Sequence, residues 1–304
     1  MKKKVAIVIV NWNGKDDTVV CLSSIKKMKK SNVDLSVIVV DNGSTNDSVP
    51  VIRKTHPWVR IVETGKNLGF TGGNNVGIKD ALTHGADFVW LLNNDTIVHP
   101  NALSVLDAFK EHVGVVGSKI YFAPGYEYHK DRYSKKEQGK VFWYTGGIVD
   151  WDNMYASHRG VDEVDEGQYD RIEETQFITG CSMVMSREIL ESIGLLDDKY
   201  YLYFEDLDFC LRAIRAGYRL LYVPTSIIWH VNAGSSGGAG NPMHEYYLTR
   251  NRLLVGLRYA PLRTKIALFR EALRFLVVGS IVKKKAVFDA FFWRFGNRYE
   301  PKKF

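Results

Sequence analysis

The chain has 304 residues, of which 45% are hydrophobic, and carries a formal net charge of +7. This length and apolar content exclude a disordered or fibrous protein and allow one large domain or two small ones. Cys21, Cys181 and Cys210 lie far apart without a C-x-x-C pair, which favours reduced, buried thiols in a cytosolic protein. The apolar run near the start is too short for a signal peptide, so we expect a first strand there.

Short apolar runs rich in Val and Ile recur in the first hundred residues and are typical of buried parallel strands. Helical periodicity between the runs, as at Val19, Leu22 and Ile25, predicts crossover helices. Alternating strands and helices indicate an α/β fold with a mostly parallel sheet flanked by helices. The predicted strands are residues 5–10, 35–40, 59–62 and 86–92.

Polar side chains follow each of these four runs. Asn11, Asp41, Asn67 and Asp95 are separated by 30, 26 and 28 residues, which fits one strand and one crossover helix each time. Because open α/β sheets bind ligands at the carboxyl ends of their strands, we expect these side chains on one rim. The alternative is that these are ordinary polar loop residues placed by chance. Chance does not explain why amides and carboxylates follow all four predicted strands.

The middle of the chain is less regular. A helix is predicted over residues 204–216, with Gly217 as its stop. The segment 234–240 lacks large side chains, which indicates a flexible lid or a simple linker. Further expected elements are a loop at 126–140, a hairpin or two short strands at 141–151, a strand within 177–185, and a last strand at 219–223 that leads to 227–230.

The positive charge is concentrated at the end of the chain. Residues 250–304 contain 14 Lys and Arg side chains and three acidic ones. Apolar spacing in the same segment suits helices lying on an anionic membrane surface, and a solvated basic helix pair is the alternative. Arg270, Glu271 and Arg274 interrupt the apolar stretch, which argues against a transmembrane span. No nucleic-acid module is recognisable, so nucleic acid is not an expected partner.

Two groups of acidic residues are suited to chemistry on a phosphorylated sugar. Asp95 follows a strand, and hard ions such as Mg²⁺ or Mn²⁺ bind through one or two carboxylates and substrate phosphates. Glu205, Asp206 and Asp208 stand at the start of a predicted helix, where acids also favour the helix dipole. Three carboxylates in four positions exceed what helix capping needs, and crowding raises the pKa of one of them towards that of a general base.

Five sequence motifs, taken together and in their order along the chain, resemble those of a family 2 glycosyltransferase with the GT-A fold. The similarity extends from Val5 to about Arg252. The motifs are Asn11-Trp12-Asn13-Gly14, Val40-Asp41-Asn42-Gly43-Ser44, Asn67-Leu68-Gly69-Phe70 with Gly72-Gly73-Asn74-Asn75, Leu91-Leu92-Asn93-Asn94-Asp95, and Phe204-Glu205-Asp206-Leu207-Asp208-Phe209-Cys210-Leu211-Arg212.

The resemblance implies an inverting, single-displacement transfer from a nucleoside-diphosphate sugar. Asp206 would be the base, with Glu205 beside it, and Asp95 with His230 would hold Mg²⁺ or Mn²⁺. Asn93 stands where the family usually has the first Asp of an Asp-x-Asp motif, which weakens the case for tight metal binding. The expected donor-binding residues are Asn11, Asn13, Asp41, which would bond the base, Asn67, Gly72, Asn75, Asn93, Asn94 and Arg250.

By resemblance alone, the donor is dTDP-rhamnose or a UDP-sugar, and the acceptor is a glycan or a lipid-linked sugar. We predict a GT-A domain over 1–235, with a nucleotide-binding half at 1–100 and an acceptor half at 101–235, and a Gly-rich link with a basic helical tail over 236–304. The expected location is the cytoplasm, at the inner face of the cell membrane, and a homo-oligomer is left open.

Two other classes of protein share part of this sequence pattern. A non-catalytic sugar-nucleotide or carbohydrate-binding protein would keep Asp41 but has little use for Asp206. A nicotinamide-dependent oxidoreductase needs G-x-G-x-x-G after the first strand, where this chain has Asn11-Trp12-Asn13-Gly14.

Overall fold

The structure, a computed structural model, describes residues 2–30, 32–231 and 241–299, so the Gly-rich segment 234–240, predicted as a lid or linker, lies outside the described residues. The strands are β1 (Lys3–Asn11), β2 (Val33–Asp41), β3 (Arg60–Glu63), β4 (Phe88–Leu92), β5 (Thr96–Val98), β6 (Val113–Phe122), β7 (Phe142–Tyr144), β8 (Gly147–Asp150), β9 (Tyr155–His158), β10 (Glu173–Glu174), β11 (Ser182–Ser186) and β12 (Arg219–His230). The helices are α1 (Lys15–Lys26), α2 (Ser48–Thr55), α3 (Gly69–Thr83), α4 (Arg187–Ile193), α5 (Glu205–Arg215), α6 (Pro242–Tyr259), α7 (Leu262–Val278) and α8 (Ile281–Phe291), and short 3₁₀ helices occupy Ala102–Ala108 and Lys130–Arg132.

The four apolar runs form β1 to β4, which lie side by side in the order β3-β2-β1-β4 and are all parallel. Their bounds agree with the predicted runs within two residues. Helices α1, α2 and α3 connect them. This confirms the predicted α/β fold, and it brings the polar residues after β1, β2 and β4 to one edge of the sheet.

The sheet continues beyond β4 with mixed directions. Strand β11 runs antiparallel to both β4 and β6, and β12 runs parallel to β6. Strand β5, which directly follows the polar turn after β4, pairs antiparallel with the end of β12. This pairing matters for function because it lays the last residue of β12 beside the polar turn.

Residues 141–151 form two short strands that belong to different sheets. Strand β7 pairs with β6, whereas β8 pairs with β9. Gly146 separates them with a φ of 123°, a conformation that residues with a side chain rarely adopt. Of the two predicted alternatives, a hairpin is therefore excluded and two strands are observed.

The basic C-terminal region is packed onto the sheet domain. Leu253 of α6, Leu268 of α7 and Val287 of α8 belong to the same buried cluster as Ile7 and Val39 of the central strands. Helix α6 begins after Asn241, whose side chain accepts a hydrogen bond from the N–H of Met243, with proline in the first turn. Within the described residues, none of the helices combines the length and apolarity needed to cross a bilayer.

Candidate active site

The carboxylate of Asp41 is held on both oxygens at the end of β2. Asn11, its partner on β1, donates from Nδ2 to Asp41 Oδ1 at 2.9 Å, and the N–H of Ser44 donates to Oδ2 at 3.1 Å. The Oδ1 of Asn11 accepts from the hydroxyl of Thr18, and Asn11 is fully buried. Asn11 therefore orients Asp41 from behind, and its contact with the donor stays a prediction.

Asn13 joins the loops that follow β1 and β2. Its Oδ1 accepts from the N–H of Thr45 at 2.8 Å, and its carbonyl accepts from Asn46 Nδ2 at 3.1 Å. A φ of 57° suits asparagine, which tolerates the left-handed conformation better than most residues. The side chain is exposed at the rim, so Asn13 shapes the loops beside Asp41.

Asn42 and Asn67 form a pair of amides beneath the start of α3. Nδ2 of Asn42 donates to Asn67 Oδ1 at 3.1 Å and to the carbonyl of Gly69 at 3.0 Å. Oδ1 of Asn42 accepts from the N–H of Leu68. Asn42 belongs to one of the five motifs but is not among the predicted site residues. Its role in positioning this loop depends on contacts that only the fold reveals.

A cavity of about 150 Å³ opens between the ends of β1 and β4, the start of α3 and the first turn of α6. Its wall is mostly apolar with a few amides, which is the usual character of small-molecule sites. The lining residues are Val10, Trp12, Asn42, Asn67, Gly69, Phe70, Asn74, Leu92, Asn93, Asn94, Tyr201, Leu202 and Met243.

Two predicted donor-binding residues of α3 serve packing. Asn75 is buried, donates to the carbonyl of Leu196 and to Asp198 Oδ1, both at 2.8 Å, and accepts from the N–H of Leu196. All its side-chain polar atoms thus tie α3 to the loop before α5, and its assignment to the donor stays a prediction. A Cβ at Gly72 would lie 2.7 Å from Leu68 Cβ, so this glycine allows a close turn at the helix start.

The turn Asn93-Asn94-Asp95 follows β4 at the cavity. The backbone N–H of Asn93 donates to the carbonyl of Cys181 at 3.0 Å. Nδ2 of Asn94 donates to the hydroxyl of Thr18 at 3.1 Å. Both asparagine side chains line the cavity, where they are placed to meet a ligand.

Asp95 and His230 are brought together by the pairing of β5 with β12. His230 lies opposite Thr96 in that pair, and its Nε2 is 3.2 Å from Asp95 Oδ1. Both side chains are buried. Neither ring nitrogen of His230 makes a hydrogen bond within the part of the chain that the structure describes, and the ring of Trp143 packs edge-on at 4.5 Å.

This pair fits a divalent ion whose other ligands come from the substrate. A carboxylate oxygen and an imidazole nitrogen converge, and Mg²⁺ and Mn²⁺ take few protein ligands when phosphate oxygens complete the shell. Among residues 2–30, 32–231 and 241–299, three or more His, Cys, Asp or Glu side chains do not gather into a metal-binding group. Within the described residues, the protein ligands available to such an ion at this turn are therefore Asp95 and His230.

Asp206, in the first turn of α5, is half-buried beside Gly180 and close to Phe70 of the cavity wall. Its Oδ2 accepts from the N–H of Gly180 at 3.0 Å, and its Oδ1 accepts from the N–H of Leu207 at 2.8 Å. A Cβ at Gly180 would lie 3.0 Å from the ring of Phe70 and 3.7 Å from Asp206 Cβ, so Gly180 lets the carboxylate approach the cavity wall. Burial raises the pKa of Asp206, and the two backbone N–H groups partly oppose this.

Glu205 lies beside Asp206 but is more deeply buried. Burial raises the pKa of Glu205 well above its ordinary value, and the negative charge of Asp206 adds to this. Oε2 of Glu205 makes no hydrogen bond with any described residue. The environment therefore disfavours the charged form of Glu205, and of the two carboxylates Asp206 is the one with backbone N–H donors on both oxygens.

The loop before α5 adopts an unusual backbone conformation. Tyr201, Tyr203 and Phe204 have φ values of 66°, 68° and 70°, which are costly for large side chains. Asn251 of α6 donates from Nδ2 to the carbonyls of Tyr200, Leu202 and Tyr203, at 2.8 to 3.0 Å.

Arg250, next to Asn251, completes this clamp. It donates to the carbonyls of Lys199 at 2.9 Å, Tyr200 at 2.8 Å and Gly296 at 2.7 Å, and its Nε donates to Asn251 Oδ1. The side chain is fully buried, and burial lowers the pKa of Arg250. Arg250 therefore holds the loop that leads to Asp206, and its contact with the diphosphate stays a prediction.

Asp208, the third acid of α5, is a structural hub. It is fully buried and accepts hydrogen bonds from the hydroxyls of Tyr200 at 3.0 Å and Tyr259 at 2.8 Å. Arg212 and Arg258 bond the same carboxylate at 2.9 and 3.1 Å. With all these partners, Asp208 fixes α5 to the loop before it and to α6.

Solved structures with a similar fold are GT-A glycosyltransferases. GT-A is therefore the fold of this chain. A crystal structure of GalNAc-T7 with UDP, GalNAc and Mn²⁺ matches with a TM-score of 0.68 and 16% identity, covering 95% of this chain and 56% of that one. The mannosyltransferase PcManGT from Pyrobaculum calidifontis, in complex with GDP-Man and Mn²⁺, matches with a TM-score of 0.55 and 18% identity, covering 96% and 74%. At these identities the likeness establishes the fold alone.

The sequence identifies the family within that fold. A family profile described as "Glycosyltransferase like family 2" matches residues 3–244, and the chain belongs to this family. The chain is 24% identical over 220 residues to the low-salt glycan biosynthesis hexosyltransferase Agl10 of Haloferax volcanii, covering 71% of this chain but only 63% of that protein.

Two further relatives carry rhamnosyl transfer in their names. The N-acetylglucosaminyl-diphospho-decaprenol L-rhamnosyltransferase of Mycobacterium tuberculosis is 25% identical over 219 residues, covering 67% of this chain and 68% of that protein. The dTDP-rhamnosyl transferase RfbF of Shigella flexneri is 24% identical over 286 residues, covering 88% and 84%.

Proposed function

We propose that this protein is an inverting glycosyltransferase that moves a sugar from a nucleoside-diphosphate donor to an acceptor hydroxyl. The observation that carries the proposal is the position of Asp206 beside Gly180 and close to Phe70 of the cavity wall, with both oxygens held by backbone N–H groups. A carboxylate so placed can accept a proton from an acceptor hydroxyl. A protein that only binds sugar nucleotides has little use for it.

In the proposed reaction, the acceptor oxygen attacks the anomeric carbon from the side opposite the diphosphate. The hydroxyl proton passes to the carboxylate of Asp206, a new bond forms between the acceptor oxygen and the anomeric carbon, and the bond to the diphosphate breaks with its electron pair on the leaving oxygen. A single displacement of this kind inverts the anomeric configuration. The backbone N–H groups of Gly180 and Leu207 favour the charged form of Asp206, which the base needs.

The donor is held by residues at the strand ends. Asp41, oriented by Asn11 and Ser44, bonds the base, while Asn67, Asn93 and Asn94 contact the donor from the cavity wall. Asp95 and His230 would hold Mg²⁺ or Mn²⁺ together with the donor phosphates. When bound, such an ion neutralises charge on the departing diphosphate.

For the donor we favour dTDP-rhamnose, with a UDP-sugar second, on the names of the Shigella and Mycobacterium relatives. The acceptor in this proposal is a hydroxyl of a glycan or of a lipid-linked sugar. The enzyme works in the cytoplasm, at the inner face of the cell membrane, where its basic C-terminal region meets anionic lipid.

The proposal is tested with the purified full chain, Mn²⁺, and dTDP-rhamnose or UDP-sugars, with the product examined by NMR. We expect an inverted anomeric centre and a loss of turnover of roughly 10²- to 10⁴-fold in Asp206→Asn. Donor binding, followed by thermal shift, should survive in that variant. The matched control is Asp34→Asn, at an exposed position on β2.

Two results would count against this assignment. Undiminished transfer by Asp206→Asn would remove Asp206 as the base, and a retained configuration would exclude a single displacement. Tight donor binding without transfer to any acceptor would favour the non-catalytic binding protein.

A further inference from the structure

Helix α7 presents a continuous apolar stripe to solvent. Successive stripe residues are three or four positions apart, except for the adjacent Leu276 and Val277, which places them on one side of a helix with 3.6 residues per turn. The opposite side, with Thr264, Leu268 and Ala272, is buried against the rest of the protein. The exposed stripe consists of Leu262, Ile266, Phe269, Leu273, Leu276 and Val277.

A row of arginines borders the stripe. Arg263, Arg270 and Arg274 are exposed and lie roughly 100° around the helix from its centre, at 100° per residue. The acids of the α7–α8 hairpin have partners inside the protein. Glu271 binds Arg252 at 2.6 Å, and Asp289 accepts from the hydroxyl of Tyr246 at 2.7 Å. The surface around the stripe is therefore apolar at its centre and positive at its edge.

Strongly exposed apolar side chains flank the turn between α7 and α8. Val277, Val278 and Ile281 are 75%, 69% and 87% exposed. Ser280 in the same turn contacts Glu245 in the first turn of α6, with 3.1 Å between its hydroxyl and the Glu245 carboxylate. The apolar turn is thus fastened to the start of α6.

The same turn is close to the cavity. Val282, the next residue of α8, packs in one apolar cluster with Met243 and Leu202. Both of these line the cavity. A surface that contacts the apolar turn therefore also lies near the cavity that receives the substrates.

We propose that the outer face of α7 and the α7–α8 turn bind the surface of an anionic lipid bilayer, and that this places the cavity at the membrane to receive a lipid-linked acceptor. The apolar stripe enters the boundary between headgroups and acyl chains, while the arginine row meets lipid phosphates. A protein partner would also cover the apolar stripe. A negatively charged lipid surface is favoured because arginines border the stripe and the nearby acids are already paired inside the protein. The acceptor part of this inference rests on the proposed glycosyl transfer.

Binding of the full chain to vesicles tests the surface directly. Vesicles of phosphatidylcholine with phosphatidylglycerol are compared with vesicles of pure phosphatidylcholine by co-sedimentation. We expect binding to the anionic vesicles, weakened by salt, and a loss of about tenfold or more in Ile266→Asp. Ile172→Asp is the matched control because Ile172 and Ile266 are 54% and 53% exposed, and Ile172 lies outside the tail.

Transfer assays then test the acceptor. With an acceptor embedded in anionic vesicles, Ile266→Asp should lose activity, whereas with a water-soluble acceptor it should match the wild type. Equal vesicle binding by Ile266→Asp and the wild type would overturn the proposal, as would a dimer that Ile266→Asp dissociates without any vesicle binding. If transfer fails with every donor, the vesicle result still decides whether the surface binds lipid.

Discussion

The guanidinium of Arg250 donates a hydrogen bond of 2.8 Å to the backbone carbonyl of Tyr200, joining segments 50 residues apart. Together with Asn251, Arg250 satisfies the carbonyls of a loop that has left-handed residues at Tyr201, Tyr203 and Phe204. The loop ends where α5 begins, one residue before Glu205. The geometry of Asp206 therefore depends on a helix of the C-terminal region.

We predict that Asn251→Ala destabilises the fold and lowers turnover. The variant leaves three loop carbonyls without this partner, and a buried polar group left unsatisfied costs about 1–3 kcal/mol. We expect a loss on the order of 3 kcal/mol in the free energy of unfolding, measured with urea, and a lower kcat because Asp206 is less well placed. Asn101→Ala, at an exposed position, should leave both quantities unchanged. Unaltered stability in Asn251→Ala would contradict the clamp.

Asn11→Ala should weaken binding of the nucleotide. The change removes the donor to Asp41 Oδ1 and the acceptor of the Thr18 hydroxyl, so that the carboxylate loses its fixed orientation. A lost hydrogen bond to a charged group is worth about 1.5–3 kcal/mol, which corresponds to roughly 10- to 150-fold in the dissociation constant. Calorimetric titration with dTDP and UDP measures the effect. Nucleotide affinity equal to that of the wild type would show that Asn11 does not act through Asp41.

Glu205 should make stability depend on pH. Because burial raises its pKa in the folded chain, the folded state holds the proton more tightly than the unfolded state does. Its contribution is complete below the ordinary value of 4.5 and is lost as pH rises towards the folded pKa. As pH rises across that range, we expect Glu205→Gln to become more stable relative to the wild type. Urea unfolding at several pH values measures the difference. Glu111→Gln, at a largely exposed side chain, should follow the wild type at every pH.

The pH profile of transfer should report the raised pKa of Asp206. The base must be ionised, so activity falls as pH decreases through its pKa, and burial moves this fall to a higher pH than for an ordinary aspartate. The acid limb of kcat/KM against pH measures it. A profile that stays flat down to the ordinary range of aspartate would exclude Asp206 as the group that limits the rate.

Removal of divalent ions should weaken donor binding through Asp95 and His230. We expect Mn²⁺ to increase the thermal shift caused by the donor, and EDTA to abolish that increase. His230→Ala should make the increase smaller and lower the donor affinity in Mn²⁺ by about tenfold. His112→Ala is the control because this side chain is 72% exposed. If the response of His230→Ala to Mn²⁺ equals that of the wild type, the histidine is not a ligand.

Local sequence patterns determined the nucleotide-binding half of the fold. Continuous runs of Val and Ile at crossover spacing are typical of buried parallel strands, and the carboxyl ends of such strands meet at one edge. Asp41 and the turn Asn93-Asn94-Asp95 therefore came to the same rim as predicted. The first acids of α5 were also visible in the sequence, because acids crowd into its first turn.

Only the tertiary structure decided what each of these side chains faces. Strand β5 pairs with β12 across more than a hundred residues and so places His230 beside Asp95. The partners of Asn75 and Arg250 are backbone carbonyls and other groups of distant loops, which no local pattern specifies. Period and composition predict an amphipathic α7, but the side that remains exposed depends on which residues pack against α6 and α8. Local preferences thus define the strands, helices and turns, whereas long-range pairing defines the contacts between them.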